Sequence, residues 1–409
     1  MEYQKLLQIR RQKGMEIAQR KKITNHDGIW LVPSQSNPKQ AYKVQLSLNG
    51  STCTCQDYVS RGIRCKHIFA VDITITKQID EQGNTIITTT KRVQYPQKWH
   101  EYTQAQNEEG RLFRMLLKDL VENIPEKPYS FGRPSIPIKT AVFCAIDKVY
   151  SMQSSRRAYS RYKDAQEKEQ IERVPNYNHI NKTLNKPEMT AILTDLLHIT
   201  AMPLKSIETK FAPDSTGFRT TKFNEYCKQK HHTKALHRWV KCHAITGTTT
   251  NIIVDAILTD ETTNDCPQFI PLVQNLADMR FNIEEICADK AYSSTANHTL
   301  IKEIGATGYI PFRSNVSGKT DATLGTKGKA WRRAFHYFQL NYEDFLTHYH
   351  NRSNVESTFM ALKTKFNDLL KSKTPLAQRN ELFCKLIAYN ITVLISAMFE
   401  LGIKPSLLG

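Results

Sequence analysis

The sequence predicts a mixed α/β sheet with flanking helices, preceded by a helical region and a small β region that bears a cysteine cluster. From about residue 205, short β-rich runs alternate with helical patterns, as in a mixed sheet. Residues 138–201 keep a helical spacing of apolar residues. Residues 125–137 carry four prolines and a glycine, so this segment is the best domain boundary in the chain.

The N-terminal half is predicted to hold a β-hairpin and several helices. Two runs rich in Thr and Ile between Ile73 and Val93 flank a turn at Gly83 and Asn84, which favours a hairpin. The spacing of leucines then predicts a helix from Thr103 to Glu122. A polar helix from Ser154 to Ile171 begins with several basic residues. That pattern fits a DNA-binding unit as well as it fits a solvated helix.

In the C-terminal half, two acidic residues are expected at strand ends. Asp214 would end the first strand and Asp289 the fourth, and ligands and metals gather at such ends in open α/β sheets. Taken singly, Asp214 fits a turn cap and Asp289 a helix cap, and Asp265 before Pro267 fits an N-cap. The strands are expected near Ile207–Ala212, His237–Thr246, Asn251–Leu258, Ile283–Ala288 and Gly308–Phe312, with helices at about Pro267–Arg280 and Ser294–Ile304.

Composition favours a basic cytoplasmic protein of two or three domains. Lysine and arginine number 57 against 39 acidic residues, giving a net charge of +18, so the chain should attract a polyanion in a salt-dependent way. Charge alone identifies a class of partner and not a chemistry. Nine cysteines, mostly scattered, indicate reduced thiols. We expect no secretory signal and no membrane partner, because the apolar run Leu386–Phe399 is too short for a span and fits a buried helix.

One cysteine cluster has the spacing of a metal site. Cys53, Cys55, Cys65 and His67 form C-x-C-x9-C-x-H, four ligands of the kind that a structural Zn²⁺ takes in tetrahedral geometry. The segment is polar around these ligands and would have little core without metal. The pattern resembles the SWIM zinc finger over about residues 40–75. Three buried cysteines beside a chance histidine is the alternative, and whether the finger contacts DNA or protein stays open.

A second pattern lies near the C-terminus, where four polar residues share one predicted helix face. Arg352 and Glu356 are four residues apart, and Tyr349 lies three residues before Arg352. Lys363 follows two turns after Glu356, so on a helix all four lie on one side. Cutting and joining phosphodiester bonds requires neutralisation of charge on the transferring phosphoryl group, which two Mg²⁺ ions about 4 Å apart supply. Such hard cations bind carboxylates, and Arg352 and Lys363 would hold substrate phosphates.

Asp214, Asp289 and Glu356 resemble the DDE triad of RNase H-like transposases. The motif Y-x2-R-x3-E-x6-K, from Tyr349 to Lys363, is similar to the signature of the IS4 family around its catalytic glutamate. This resemblance covers about residues 205–400 and implies an RNase H-like catalytic domain with two Mg²⁺ or Mn²⁺ ions on the three carboxylates. The short stretch between the second aspartate and the glutamate departs from many IS4-type enzymes, so an IS5-like relative stays open. The residues implied to contact DNA are Tyr349, Arg352 and Lys363.

The resemblance implies a prokaryotic DNA transposase that associates with the nucleoid, binds terminal inverted repeats, joins them to target DNA and acts as a homodimer. One alternative is a non-enzymatic DNA-binding regulator derived from a transposase, although three clustered carboxylates are costly for a protein that does not use them. Another is an RNase H-like nuclease without strand transfer. The expected domains are a zinc-finger region at 1–100, a helical and DNA-binding region at 101–204, and the catalytic domain at 205–409.

Overall fold

A computed structural model describes most of the chain as two compact units. The first unit is Met1–Gln97 and the second is Lys98–Gly409. Within the second unit, helices before residue 204 share one hydrophobic core with the sheet after it, and the domain boundary expected there stays a prediction. The described residues are 2–20, 23–26, 28–35, 37, 40–46, 51–61, 64–79, 85–89, 98–126, 131–132, 135–220, 239–313, 316 and 328–408.

The first unit combines helices with a four-stranded antiparallel sheet and a separate hairpin. Its elements are α1 (Glu2–Arg20), β1 (Thr24–His26), β2 (Ile29–Pro33), β3 (Ala41–Gln45), β4 (Thr52–Cys53), α2 (Gln56–Arg61), α3 (Lys66–Thr74), β5 (Ile75–Ile79) and β6 (Thr85–Thr89). The sheet order is β1-β2-β3-β4, and β5 pairs with β6, which confirms the predicted hairpin. Its expected turn residues, Gly83 and Asn84, lie outside the described residues.

Helices α1 and α3 pack closely because a glycine lies between them. A Cβ on Gly14 would lie 2.7 Å from the Cβ of Phe69, which is closer than two such atoms approach. Ile17 on α1 and Ile68 on α3 belong to the same buried cluster. This contact gives the first unit a hydrophobic core of its own.

The second unit begins with helices and continues into a mixed sheet. Its helices are α4 (Trp99–Val121), α5 (Ile138–Tyr150), α6 (Ala158–Glu167), α7 (Tyr177–Leu184), α8 (Glu188–Ala201), α9 (Phe269–Asp278), α10 (Thr295–Glu303), α11 (Lys329–Leu340), α12 (Tyr342–Tyr349), α13 (Ser353–Phe366) and α14 (Pro375–Glu400). Its strands are β7 (Lys210–Arg219), β8 (Trp239–Gly247), β9 (Ile253–Asp260), β10 (Glu285–Cys287) and β11 (Thr307–Tyr309).

The five strands confirm the predicted RNase H-like sheet. Their order is β11-β10-β7-β8-β9. Strands β7, β8 and β9 are antiparallel neighbours, whereas β10 runs parallel to both β7 and β11. Strand β10 pairs in register with Lys210 and Phe211 at the start of β7. Because the two strands are parallel, the carboxyl end of β10 points along β7 towards its middle.

The prediction that Asp214 ends a strand is wrong, because β7 continues to Arg219. The strand passes through Pro213, which donates no backbone hydrogen bond. In the structure, Pro213 pairs in register with Ile245 of β8. On its other side β7 has no paired strand beyond Phe211 among the described residues, and a proline is tolerated at such an edge.

The polar helix expected over residues 154–171 is shorter than predicted and is partly buried. Helix α6 spans Ala158–Glu167, and the guanidinium of Arg161 lies 2.6 Å from a carboxylate oxygen of the fully buried Asp147. Arg114 on α4 pairs with the same carboxylate at 3.1 Å. Arg161 therefore helps to close a buried ion-pair network and is not a surface cation.

Helix α14 is the apolar helix that the sequence predicted to be buried. It is long and apolar enough to cross a membrane, but most of it lies inside the folded unit, which confirms a core helix. Asn390, near the middle of the helix, is completely buried. Its side-chain amide hydrogen-bonds to the backbone of β9, the edge strand of the sheet, where a neighbouring strand would otherwise pair. The Asn390 side chain accepts a 3.0 Å hydrogen bond from the Ile253 backbone N–H and donates a 2.7 Å bond to the Ile253 carbonyl oxygen.

Replacing Asn390 with leucine should destabilise the second unit while keeping the helix apolar. The backbone N–H and carbonyl of Ile253 would stay buried without their partner, and each such group costs about 1–3 kcal/mol. We expect Asn390→Leu to lower the free energy of unfolding by about 2–4 kcal/mol, measured by urea denaturation. Ser396→Ala on the half-buried part of the same helix serves as the control and should change it by less than about 0.5 kcal/mol. Equal stability of the two variants would contradict this role.

Candidate active site and metal centre

The four predicted zinc ligands come together in the first unit. Cys53 ends β4, Cys55 directly precedes α2, and Cys65 and His67 flank the first residue of α3. All four are buried, and their ligand atoms lie within 4.8 Å of one another. The Nδ1 atom of His67 is 3.8 Å from the sulfur of Cys53 and 3.8 Å from the sulfur of Cys65. The structure therefore forms a compact pocket of three sulfurs and one imidazole nitrogen.

The chemistry of this pocket fits a divalent zinc ion. Burial raises the pKa of the Cys55 thiol, because an isolated thiolate is poorly solvated there. The pKa of Cys65 is lowered, first by the hydrogen bond from the Cys53 thiol, so one thiolate is favoured within the cluster. The Nε2 atom of His67 is buried without a hydrogen-bond partner among the described residues. Three sulfurs and an imidazole are the donor set of a closed structural Zn²⁺ site.

In the second unit, three carboxylates from three different elements converge on the guanidinium of Arg352. Its Nη2 atom lies 3.3 Å from Oδ2 of Asp214 on β7 and 3.7 Å from Oδ2 of Asp289, two residues past β10. Its Nη1 atom lies 2.8 Å from Oε1 of Glu356 in the first turn of α13. The fold thus brings the predicted triad together around one cation.

The sequence predicted one helix face for Tyr349, Arg352, Glu356 and Lys363. In the structure these four residues do not lie on one continuous helix. Helix α12 ends at Tyr349, a single 3-10 turn covers His350–Arg352, and α13 begins at Ser353. The break leaves the four-residue spacing of Arg352 and Glu356 intact. It places Tyr349 on a separate helix, where its ring stacks on that of Phe345 at 5.7 Å between centroids.

Lys363 faces β7 instead of the three carboxylates. Its Nζ atom donates a 2.6 Å hydrogen bond to Oγ1 of Thr216 and lies 5.3 Å from the centre of the Phe218 ring. Burial lowers the pKa of its ammonium group. Lys363 also lines a cavity of about 410 Å³ with Trp239 and Lys241. The cavity begins at the strand residues that directly follow Asp214.

The three carboxylates fit a divalent cation by chemistry, although Arg352 holds them in the structure. Within the described residues, the cysteine and histidine cluster is the one group of three or more potential ligands that already lie within 4.8 Å of one another. Burial raises the pKa of Asp214, and the charge of Arg352 opposes that rise. Three hard oxygen donors around one cationic group form a set that Mg²⁺ or Mn²⁺ accepts.

One further residue, Tyr292, lies close to the carboxylates and was not identified from the sequence. The side chain of Tyr292 is buried, and its hydroxyl has no hydrogen-bond partner among the described residues. Burial raises its pKa, and the charges of Asp214, Asp265 and Asp289 raise it further. The only signal in the sequence was its position three residues after Asp289.

The predicted N-cap role of Asp265 is wrong. Its side chain makes no cap hydrogen bond to the short 3-10 turn that follows. Instead, its Oδ1 atom lies 2.7 Å from Nζ of Lys241 and 3.2 Å from Nδ1 of the buried His243. Lys241 and His243 lie two residues apart on β8 and both contact this carboxylate. Nothing in the sequence indicated these contacts.

The cysteine pocket predicts about one zinc ion per purified chain, measured by elemental analysis. Cys65→Ser should lose the ion because it removes one of the three sulfur donors, and the binding free energy of structural zinc is on the order of 10 kcal/mol. Cys266→Ser, which lies in the second unit, is the control and should keep the ion. A zinc-free wild-type chain whose first unit resists proteolysis would rule out the assignment.

The converging carboxylates predict that Arg352→Gln is less stable in metal-free buffer. Removing the guanidinium leaves three like charges without their shared partner, and we expect a loss of about 1–2 kcal/mol in the free energy of unfolding. Added Mg²⁺ should restore more stability to this variant than to the wild type, because the cation no longer competes with Arg352. Thermal unfolding with and without Mg²⁺ measures both effects.

Arg219→Gln is the matched control for that measurement. Arg219 pairs with Asp368 at 2.6 Å on a more exposed surface, away from the triad carboxylates. Its loss should be small, and Mg²⁺ should not reverse it. If Mg²⁺ stabilises both variants equally, the three carboxylates do not act as a cation site.

Two family models match the chain where the site residues lie. The model described as a transposase DDE domain matches residues 205–391, and the model of the SWIM zinc finger matches residues 42–71. No curated protein matches the chain. One similar solved structure, a cryo-EM structure of a piggyBac transposase synaptic complex with hairpin DNA, has 10% sequence identity and a TM-score of 0.35, with 72% of this chain and 76% of that chain covered. The two family models identify residues 205–391 as a transposase DDE domain and residues 42–71 as a SWIM zinc finger.

Proposed function

We propose that this protein is a DNA transposase that cleaves the ends of an insertion sequence and transfers them to target DNA. The observation that carries the proposal is the convergence of Asp214, Asp289 and Glu356 on Arg352 within a transposase DDE domain. Three acidic side chains gathered from distant parts of a sequence are costly in a fold unless a cation uses them. A two-metal phosphodiester site is the chemistry that such a set suits best.

In this proposal the three carboxylates hold Mg²⁺ or Mn²⁺, which would activate the attacking hydroxyl and neutralise charge on the phosphoryl group. Asp214 is a rigid ligand because β7 pairs with β8 along its whole length. Asp289 precedes a 3-10 turn, and Glu356 lies in the first turn of α13. Their side chains are more exposed than that of Asp214. Arg352 would then turn from the carboxylates to a substrate phosphate, which a planar guanidinium binds through two hydrogen bonds.

The other two signature residues are proposed to hold DNA beside the metals. Lys363 lies on the side of β7 that carries Thr216, and its ammonium group is a point charge for a phosphate. Tyr349 ends α12 directly before the turn that carries Arg352. Burial raises the pKa of the Tyr349 hydroxyl, so it acts as a neutral hydrogen-bond donor at physiological pH.

The remaining parts of the proposal concern the zinc finger and the assembly. We propose that Cys53, Cys55, Cys65 and His67 hold a structural Zn²⁺ that keeps the first unit folded. The DNA partners would be the terminal inverted repeats of the element and its target, with a homodimer bridging two ends in the cytoplasm. Membership of the IS4 or IS5 group belongs to the same proposal.

The proposal is tested by replacing Asp289 with asparagine, which is nearly isosteric but has no charge to offer a metal. We expect Mg²⁺-dependent cleavage of element-end DNA to fall by on the order of a thousandfold, because metal catalysis contributes several kcal/mol. Gel analysis of labelled end DNA measures the rate. The matched control is Asp278→Asn at the exposed end of α9, which should cleave at the wild-type rate.

Two outcomes would change the conclusion. Cleavage by Asp289→Asn at the wild-type rate would rule out the triad. Cleavage without joining of precleaved ends to a target plasmid would favour a nuclease over a transposase.

A further inference from the structure

We propose that the outer face of α11, a helix between the second and third triad carboxylates, is a binding surface for the phosphate backbone of duplex DNA. This inference rests on the proposed function and extends it to residues outside the transposase signature. Four basic side chains occur along the helix at positions i, i+3, i+4 and i+7, which is one helical face. They are Lys329, Arg332, Arg333 and His336, and we call them the α11 basic stripe.

The opposite face of α11 is apolar and anchors the helix to the catalytic domain. Trp331 is 8% exposed, and its ring meets that of Phe312 edge-on at 5.0 Å between centroids. The rings of Phe335 and Phe338 lie 5.3 Å and 5.6 Å from the same phenylalanine. Since the aromatic residues fix one side of the helix, the stripe is directed away from this cluster.

The anchor connects the stripe to the elements that carry the triad. Phe338 packs against Phe345 of α12 at 4.9 Å, and Phe345 packs against Tyr309 of β11 at 5.7 Å. Phe345 and Tyr309 share a buried cluster with Cys287, two residues before Asp289. Helix α12 then leads into the turn that carries Arg352. DNA held along the stripe would therefore lie on the same packed assembly as the three carboxylates.

The charge of the stripe is not neutralised within its own helix. Helix α11 contains no aspartate or glutamate. Lys329 and Arg333 are exposed, and no carboxylate lies within ion-pair distance of either among the described residues. The nearby Asp344 of α12 accepts a hydrogen bond from Tyr337. Two cations without partners in a helix free of acids would attract a dense polyanion.

Duplex DNA fits this surface better than an acidic peptide does. Seven residues of α-helix span about 10 Å, which corresponds to about three base-pair steps at 3.4 Å each. Lysine and arginine side chains bind phosphates as cations, and contacts of that kind position the duplex without reading its base sequence. A phosphodiester-cleaving site on the same assembly needs such contacts to position its substrate.

Binding to a random-sequence DNA duplex tests the stripe directly. The double variant Lys329→Gln/Arg333→Gln is compared with wild type by fluorescence anisotropy over a salt series, in buffer without added Mg²⁺ or Mn²⁺ and without chelator, so that the zinc finger keeps its ion. We expect the affinity to fall on the order of tenfold. The slope of log affinity against log salt should become shallower by about 1 for each lost contact.

Two control variants separate the stripe from general effects of charge. Arg280→Gln/Lys373→Gln removes one arginine and one lysine from exposed positions outside the proposed DNA contacts and should leave the slope unchanged. The swap Lys329→Arg/Arg333→Lys keeps both charges and should also keep the slope, which excludes a folding defect as the cause.

Equal slopes for the stripe variant and the Arg280→Gln/Lys373→Gln control would overturn the stripe and leave the proposed function standing. A wild-type protein that binds no duplex DNA would overturn both. Intact DNA binding by Asp289→Asn, combined with loss of cleavage, would support the catalytic proposal without bearing on the stripe.

Discussion

The second unit depends on burying one helix, α14. Nearly every residue from Leu382 to Ile395 is buried, and α14 packs against α4, α5 and α8 as well as β9. Because apolar burial is the dominant favourable term in folding, this helix joins the helical layer to the sheet. The buried amide of Asn390 fixes its register by hydrogen bonding to the edge of β9. The strand that carries Asp214 and the strand that leads to Asp289 are therefore supported from a single core.

In the candidate active site, the main electrostatic constraint is repulsion among the carboxylates of Asp214, Asp289 and Glu356. The parallel start of β10 beside β7 brings Asp289 towards Asp214, and α13 adds Glu356. Such carboxylates resist approaching each other without a cation, and in the structure Arg352 supplies it. Arg352 is four residues before Glu356, so the guanidinium and one of the carboxylates that it neutralises lie about one helical turn apart in the chain. Exchange of the guanidinium for metal would free it to bind a phosphate.

The first unit is stabilised differently from the second, because the hydrophobic core formed by its described residues is small. Among its described residues, the main buried cluster contains nine, and three of them are the cysteines of the metal pocket. Thiols contribute less apolar surface than the large aliphatic residues that usually fill a core. A zinc ion bound to these sulfurs would replace hydrophobic packing as the interaction that holds β4, α2 and α3 together. Folding of the finger and binding of metal would then be one event.

The sequence by itself predicted the fold class, the five strands, the buried helix and the residues of both candidate ligand sets. These predictions rest on short-range patterns: the alternation of apolar residues, the cysteine spacing and the interval from Arg352 to Glu356. Such patterns depend only on the local helix, strand or turn and not on which distant segments pack together. Only the tertiary structure decided that Asp214 lies within β7, that α12 and α13 are separate, and that Asp265 pairs with Lys241. It also placed Tyr292 near the triad and directed one face of α11 outward. These features depend on which distant segments pack together, and contacts between distant segments leave no period in a single sequence.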